Sequence, residues 1–221
     1  IDELTRLVLT NAIYFNAAWL YPFTEEQTHD APFTLLDGSQ MTVPMMSQTE
    51  SFGYSSGDGY QAVELRYEGE ELSMVILLPD AGQFTAFEQS LEPTLVDSIL
   101  AAVQWQQVAL SMPKFEFSAD LSLADTLAAM GMPAAFEGAA DFSGMTGRKD
   151  LFISNVIHKA FIDVTEEGTE AAAATAVVLK RGGRPASFVA NRPFCFLIRE
   201  HRTGSILFMG RVSDPTAPAV G

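Results

Sequence analysis

The amino-acid sequence predicts an α+β fold in which extended sheets dominate and helices are few. Most apolar runs are rich in β-branched and aromatic residues, and several of them face each other across turn residues. Only two stretches have the apolar spacing of a helix. No repeat and no linker interrupts the chain, so we expect residues 1–221 to form a single domain.

Three groups of strands are predicted in the first half of the chain. Residues 5–19 are apolar and β-branched, which predicts a long, mostly buried strand. The pair Asp37-Gly38 stands between two apolar runs and predicts a hairpin. Residues 60–67 and 72–78 predict a second strand pair.

Two stretches predict helices. Apolar residues between Phe84 and Val103 recur at helical spacing, and Pro93 divides this stretch into two helices. Residues 118–131 predict a further helix, which begins at a Ser or Asp N-cap and ends at Gly131.

The remaining segments predict strands. Residues 105–117 are strand-like, and Pro113 within them indicates an edge strand or a bulge. Residues 150–165 predict another long strand. Residues 188–212 predict a strand pair that turns at Thr203-Gly204.

The charge balance limits the classes of partner. The chain has 28 acidic and 13 basic residues, a net charge of -15, which argues against nucleic acid and anionic membranes as partners. No apolar run approaches the roughly 20 residues that span a bilayer, and no signal peptide is visible. Since the chain begins at Ile1 without a Met, we expect its true N-terminus and any targeting signal to lie outside it.

Three possible chemical sites are set aside. Residues 53–57 (GYSSG) fit the pattern of a hydrolase nucleophile, but a turn and a strand follow where that motif needs a helix. The three histidines are widely spaced and lack carboxylate companions, so we expect neither a metal nor another cofactor. The single cysteine, Cys195, excludes an intramolecular disulfide and is interpreted as a small core residue.

Residues 165–188 (TEEGTEAAAATAVVLKRGGRPASF) combine conflicting preferences. The alanine run favours a helix, Val177 and Val178 favour a strand, and the glycines and proline that follow favour neither. Taken alone, the alanine run is most simply a surface helix.

Several segments together carry a resemblance to a known family. They are LTNAIYFNAAW (9–19), VPMM (43–46), MPKF (112–115), HKAFIDVTEEGTEAAAAT (158–175), FVANRPFCFLI (188–198) and ILFMGRVSDPT (206–216). In this order and spacing the chain resembles the serpins, the serine protease inhibitor superfamily, from about residue 5 to residue 215. The resemblance implies the C-terminal part of a serpin fold, a large mixed sheet with smaller sheets and a few helices. It also implies that the family's N-terminal helices and outer strands are absent from this chain.

The resemblance implies inhibition of a serine protease by a suicide-substrate mechanism. Residues 166–187 would form the hinge and the reactive-centre loop, which a protease cleaves and whose N-terminal half then inserts into the large sheet as a new strand. The hinge residues are Glu166, Glu167, Gly168, Thr169, Glu170, Ala171, Ala172, Ala173, Ala174 and Thr175. Gly168 tolerates the dihedral angles of a hinge, and small residues at alternate positions from Thr169 would share the inward face of the new strand.

Two bonds are candidates for the cleavage site. The family's usual loop length places the cut at Gly182–Gly183, which is a poor site for most serine proteases. The preceding bond, Arg181–Gly182, suits trypsin-like proteases, and Lys180-Arg181 also suits subtilisin-like proteases. We favour Arg181–Gly182 and keep Gly182–Gly183 as the alternative.

Four further residues match the family's sheet-opening region. The resemblance implies that Lys114 and Glu166 form a salt bridge at the top of the sheet, with Trp19 packed beneath it. Asn11 and His158 match a polar pair midway down, where two strands must part. The simpler interpretations are a surface ion pair, an ordinary core tryptophan and a satisfied core histidine.

The resemblance also sets expectations for the whole protein. We expect an inhibitor rather than an enzyme, acting as a monomer on a trypsin-like or subtilisin-like protease. The resemblance also favours an extracellular location. The alternatives are a non-inhibitory serpin acting as a carrier or chaperone, a binding domain unrelated to serpins, or a fragment without activity by itself. We expect residues 1–221 alone not to inhibit, because their sheet would have an exposed edge and a partly uncovered core.

Overall fold

A computed structural model describes residues 7–169 and 184–217. Strands form most of the described chain: β1 (Leu7–Tyr14), β2 (Ala17–Ala18), β3 (His29–Thr34), β4 (Gln40–Gly57), β5 (Tyr60–Arg66), β6 (Leu72–Pro79), β7 (Gln104–Pro113), β8 (Phe115–Ser122), β9 (Ile153–Val164), β10 (Gly168–Thr169), β11 (Ala186–Val189), β12 (Phe194–Glu200) and β13 (Ile206–Val212). The helices are short: α1 (Phe84–Ser90), α2 (Pro93–Ala101), α3 (Ala124–Ala129) and α4 (Ser143–Thr146). A large mixed sheet with few helices confirms the predicted α+β class.

The chain divides into two compact units. Of the described residues, the first comprises 7–15 and 117–162, and the second comprises 16–116, 163–169 and 184–217. In the first unit the strand order is β1-β9-β8, and β1 runs parallel to β9. This unit also contains the short helices α3 and α4.

The prediction of one long buried strand over residues 5–19 is wrong. Strand β1 ends at Tyr14, and a separate two-residue strand, β2, follows after Phe15 and Asn16. Most side chains of β1 are exposed, because β9 is its one pairing partner among the described residues. The apolar composition of β1 therefore does not correspond to burial within the described chain, whereas Phe15 and Trp19 beyond it are buried.

An eight-stranded sheet forms most of the second unit. Its order is β11-β7-β4-β5-β6-β12-β13, and β3 pairs with β4. Strand β4 is long enough to pair in turn with β3, β7 and β5 along its length. The three predicted strand pairs are confirmed as the antiparallel pairs β3–β4, β5–β6 and β12–β13.

One face of this sheet packs against α1 and α2. Buried residues from β5, β6 and β12 meet buried residues of both helices in one cluster: Ala62, Val75, Leu77, Phe84, Phe87, Val96, Ile99, Cys195 and Leu197. The division at Pro93 is confirmed, since α2 begins there. Burial raises the pKa of Cys195 to about 12, which keeps the thiol neutral and inert in this core.

Two local predictions are corrected. Strand β7 is not an edge strand, because it lies between β4 and β11, but Pro113 is its last residue and lies beyond the residues 108–111 that pair with β11. The helix predicted from residue 118 begins only at Ala124, and no side chain caps it. Its expected capping residues, Ser118 and Asp120, belong to β8, where Asp120 pairs with Lys159. Strand β11, which runs parallel to β7, was not predicted separately.

Residues 53–57 do not form a nucleophile elbow. They are the end of β4, and a turn leads directly into β5. Ser55 is a buried strand residue. Within the described chain, no group of three or more His, Cys, Asp or Glu side chains is placed to hold a metal ion. The described helices are all too short to span a membrane.

Candidate functional site

The hinge predicted from the sequence lies in the second unit, where the chain leaves β9 and reverses direction. The amide of Thr165 donates to the carbonyl oxygen of Gly168 (2.9 Å), closing a tight turn. After the turn, β10 runs antiparallel to β2, with Gly168 opposite Ala18 and Thr169 opposite Ala17. The first two residues after the turn are therefore already paired as the start of a strand.

Glu166 is anchored inside this turn by two side chains. Lys114 Nζ lies 2.8 Å from Glu166 Oε2, and the Thr28 hydroxyl donates to Glu166 Oε1 (2.7 Å). The Glu166 side chain is 8% exposed and that of Lys114 is 37% exposed, so the ion pair is partly buried. Burial works against the charged form, but the hydrogen bonds from Lys114 and Thr28 outweigh it and hold the pKa of Glu166 below its ordinary value.

The pKa shift of Glu166 predicts that the hinge loosens in acid. A carboxyl whose pKa is lowered by folding contributes stability above its unfolded pKa and loses it as pH falls through the folded pKa. We expect the Glu166→Gln variant to lose about 1 kcal/mol at neutral pH and to lack the part of the stability loss below about pH 4 that this carboxyl causes. Urea unfolding from pH 7 to pH 3 measures both effects.

The matched control for this experiment is Glu70→Gln. Glu70 pairs with Arg66 on the surface and is 54% exposed, so its removal should change the unfolding free energy little. Parallel pH profiles for wild type and Glu166→Gln would contradict the assignment of the shift to Glu166.

Trp19 lies against the same turn. It is 2% exposed and stacks on Tyr67, with ring centroids 4.5 Å apart and an interplanar angle of 11°. Its indole Nε1–H donates to the carbonyl oxygen of Thr165 (3.0 Å), and its backbone amide donates to that of Glu167 (3.0 Å). Trp19 is thus a core residue that also holds the backbone of the hinge.

Gly168 and Thr169 are fitted closely to β2. Gly168 has φ +142°, a conformation that favours glycine, and a Cβ there would lie 2.3 Å from the carbonyl oxygen of Ala17. The side chain of Thr169 is fully buried, and its hydroxyl lies 3.3 Å from the Tyr67 hydroxyl. Glycine is therefore required at residue 168, and residue 169 points into the interior.

Asn11 and His158 are partners in the first unit. They lie opposite each other in the parallel β1–β9 ladder. Asn11 is exposed and His158 is half-buried. Within the described chain no side-chain hydrogen bond joins them. They are neighbours, as predicted, because the register of the β1–β9 ladder places them opposite each other.

The remaining predicted site residues lie outside the described residues. They are Glu170, Ala171, Ala172, Ala173, Ala174, Thr175, Arg181, Gly182 and Gly183. Sequence reasoning missed two residues of the site, Thr28 and Tyr67. Neither follows a recognisable motif, and both reach the hinge from positions more than 100 residues away in the chain.

Comparisons with known proteins agree with this architecture. The family model described as "Serpin (serine protease inhibitor)" matches residues 1–215. An uncharacterized serpin-like protein of Thermococcus kodakarensis is 44% identical over 220 residues, which cover 97% of this chain and 51% of that protein. Leukocyte elastase inhibitor of Bos taurus is 43% identical over 226 residues, covering 97% of this chain and 60% of that protein.

A solved structure is similar as well. Human thyroxine-binding globulin, in complex with thyroxine, superposes with a TM-score of 0.88 at 34% identity, covering 98% of this chain and 58% of that one. The chain thus spans about half to three-fifths of the length of the relatives it matches.

Proposed function

Because this chain belongs to the serpin family, we propose that the complete protein inhibits a serine protease as a suicide substrate. The family is one of protease inhibitors rather than of catalytic enzymes. The observation that carries the proposal is the hinge, since Gly168 and Thr169 already form a short antiparallel strand beside β2. A strand that has begun to pair in this way can be extended by the residues that follow it.

The proposed reaction uses the protease's own chemistry. The serine hydroxyl of the protease attacks the carbonyl carbon of residue 181, the bond to Gly182 breaks, and the amine of Gly182 leaves with a proton. Residue 181 then remains joined to the protease as an acyl ester. The freed arm inserts into the sheet and carries the protease with it before water hydrolyses that ester.

The register of the hinge supports a specific position for the inserted arm. Gly168 lies opposite Ala18, and the antiparallel pairing advances one residue on each strand. If the pairing continues along the chain from β2 into β1, Thr175 comes to lie opposite Asn11. On the same count residues 170–179 lie beside residues 7–16, which reach the first residue of β1.

The turn gives a second, independent way to derive the register of the inserted arm. The hydrogen bond from Thr165 to Gly168 closes the turn, and continuing the pairing along β9 brings Thr175 opposite His158. Asn11 and His158 are themselves partners in the β1–β9 ladder. If β1 and β9 part as proposed, Thr175 would on both counts lie between these two residues.

The composition of the arm suits this position. Thr169 is fully buried, so residues at every second position after it would face the same interior. Those residues are Ala171, Ala173 and Thr175, which are small enough to enter a closed sheet. Bulky or charged side chains at these positions would oppose insertion.

We propose Arg181–Gly182 as the reactive bond and Gly182–Gly183 as the alternative. Arg181 fits the carboxylate-containing pocket of a trypsin-like protease, and Lys180-Arg181 also fits a subtilisin-like protease. Mass spectrometry of the cleaved protein locates the cut, and cleavage outside residues 179–184 would contradict both assignments.

The inhibitory function predicts an SDS-stable complex. Incubation of the complete gene product with trypsin, or with a subtilisin-like protease, should give a covalent band whose mass is that of both proteins less the C-terminal peptide. A protease whose catalytic serine is replaced by alanine is the control, because it cannot form the ester. Cleavage of the loop without any such complex would argue against the proposal.

A non-inhibitory carrier is the second candidate, because human thyroxine-binding globulin is a close structural neighbour whose structure contains thyroxine. The hinge weighs against this candidate, since the residues from Thr169 to Thr175 include no bulky side chain and one charged residue, Glu170. The relatives do not support the extracellular location that the resemblance favours, and no compartment is proposed.

A further inference from the structure

Two aromatic residues hold the hinge at three alternate positions. The backbone amide of Trp19 donates to the carbonyl oxygen of Glu167, and its indole donates to that of Thr165. The Tyr67 hydroxyl lies 3.3 Å from the Thr169 hydroxyl. The ring of Tyr67 is fixed by its stacking on Trp19, so the phenol has a defined position relative to the turn.

Of these three contacts, the one between Tyr67 and Thr169 lies at the end of β10. Thr169 is the last residue of β10, and residue 170 is the next to pair if the strand grows. Its hydroxyl is fully buried, and a buried hydroxyl without a partner destabilises the arrangement that buries it. The Tyr67 hydroxyl supplies that partner, so it favours the docked position of Thr169.

We infer that Tyr67 is a positioning residue for loop insertion, holding the end of β10 against β2 through its hydrogen bond to Thr169. This inference rests on the proposed inhibitory function. Insertion competes with hydrolysis of the acyl ester, and a strand that starts from an existing pairing avoids the entropy cost of forming its first contacts. Tyr67 touches neither the protease nor the scissile bond and acts through Thr169.

The effect of Tyr67 differs from that of Glu166 in its pH dependence. Burial raises the pKa of Tyr67, so the phenol remains protonated and available as a hydrogen-bond donor across the neutral range and in acid. The Glu166 carboxylate, in contrast, loses its charge in acid. An effect of Tyr67 on the hinge should therefore persist below about pH 4, where the contribution of Glu166 falls, as well as at pH 7.

Hydrogen–deuterium exchange tests the contact directly. Tyr67→Phe keeps the ring and its stacking on Trp19 and removes only the hydroxyl. We expect the amides of Gly168 and Thr169 to exchange about three- to tenfold faster in the uncleaved variant. Tyr60→Phe is the matched control, since it removes a phenol whose ring packs against Phe87 outside the hinge. Equal exchange in wild type and Tyr67→Phe would overturn the inference.

The consequence for inhibition is measured with trypsin as the probe protease. Tyr67→Phe should raise the ratio of cleaved inhibitor to SDS-stable complex about three- to tenfold, while the rate of the initial attack on the loop stays the same. A purely structural role would lower the melting temperature and leave that ratio unchanged, and an unchanged ratio would overturn the inference. Thr169→Val should match Tyr67→Phe, and the double variant should be no worse than either.

The two experiments separate this inference from the function on which it rests. If the wild-type protein forms no complex with trypsin or with a subtilisin-like protease, the proposed inhibition fails. The exchange experiment does not use a protease, so it still decides whether Tyr67 holds the hinge.

Discussion

Cleavage of the loop is expected to raise the melting temperature of the complete protein by about 10–20 °C. If the proposed register holds, residues 170–179 would lie beside residues 7–16 after insertion. Each inserted residue gains ladder hydrogen bonds worth about 1 kcal/mol net, so the ten together contribute on the order of 10 kcal/mol. The entropy of unfolding grows with chain length, so for a protein as long as the relatives of this chain 1 kcal/mol corresponds to about 1–2 °C.

Thermal unfolding followed by circular dichroism, before and after limited proteolysis, measures this change. Mass spectrometry must show a single cut within residues 179–184, so that the comparison concerns the loop alone. An unchanged melting temperature would mean that the arm stays outside the sheet, and it would favour the carrier over the inhibitor. The size of the rise also bears on the register, because a shorter insertion gains proportionately less.

Local signals in the sequence explain which parts of the fold were predicted. The antiparallel pairs of the second unit have alternating apolar residues and turn residues next to each other in the chain, and Gly38 and Gly204 adopt the positive φ angles that these turns require. The Pro93 signal is local as well, because proline at the start of a helix needs no amide partner. Such features depend on neighbouring residues and can be seen in one sequence.

Predictions that depended on distant partners failed. Asp120 is a good N-cap residue, but Lys159 on β9 pairs with its side chain and the chain there stays extended. The apolar segment 5–19 was expected to be buried, yet burial depends on what covers a strand and not on its own composition. Parallel pairing of β11 with β7 joins segments about 80 residues apart, and no local pattern predicts it.

The candidate site shows the same division. The family resemblance identified Lys114 and Glu166, which do lie 2.8 Å apart, and it identified Trp19 beside them. Tyr67 was not identified, because its contact partner Thr169 is 102 positions away in the chain. Nothing in the sequence around Tyr67, which follows the end of β5, indicates this contact. Three-dimensional contact, not residue type, makes Tyr67 part of the site.

If the complete protein inhibits as proposed, replacing Gly168 by valine is expected to convert it from an inhibitor into a substrate. The backbone there has φ +142°, which L residues with a side chain rarely adopt, and the new Cβ would lie 2.3 Å from the carbonyl oxygen of Ala17. Strain and collision together cost about 3 kcal/mol or more, which exceeds the contribution of the two residue pairs of β10. We therefore expect β10 to leave β2.

Loss of this pairing removes the start of the new strand. The protease should still cut the exposed loop, but SDS-stable complex should fall at least about tenfold, because insertion no longer outruns hydrolysis of the ester. The rise in melting temperature after cleavage should shrink in parallel. Titration of protease against the variant measures the first effect, and thermal unfolding of the cleaved variant measures the second.

Variants of two other glycines separate the effect of backbone strain from that of the collision with Ala17. Gly38→Ala places a side chain at φ +84° in a hairpin where no atom lies within 4 Å, so it has the backbone strain without the collision and lies outside the hinge. Gly138→Ala has neither. Both variants should form complex as the wild type does, although Gly38→Ala should unfold at lower temperature. If Gly168→Val also forms complex at the wild-type level, the pairing of β10 with β2 is not the starting point of insertion, and the register built on it does not hold.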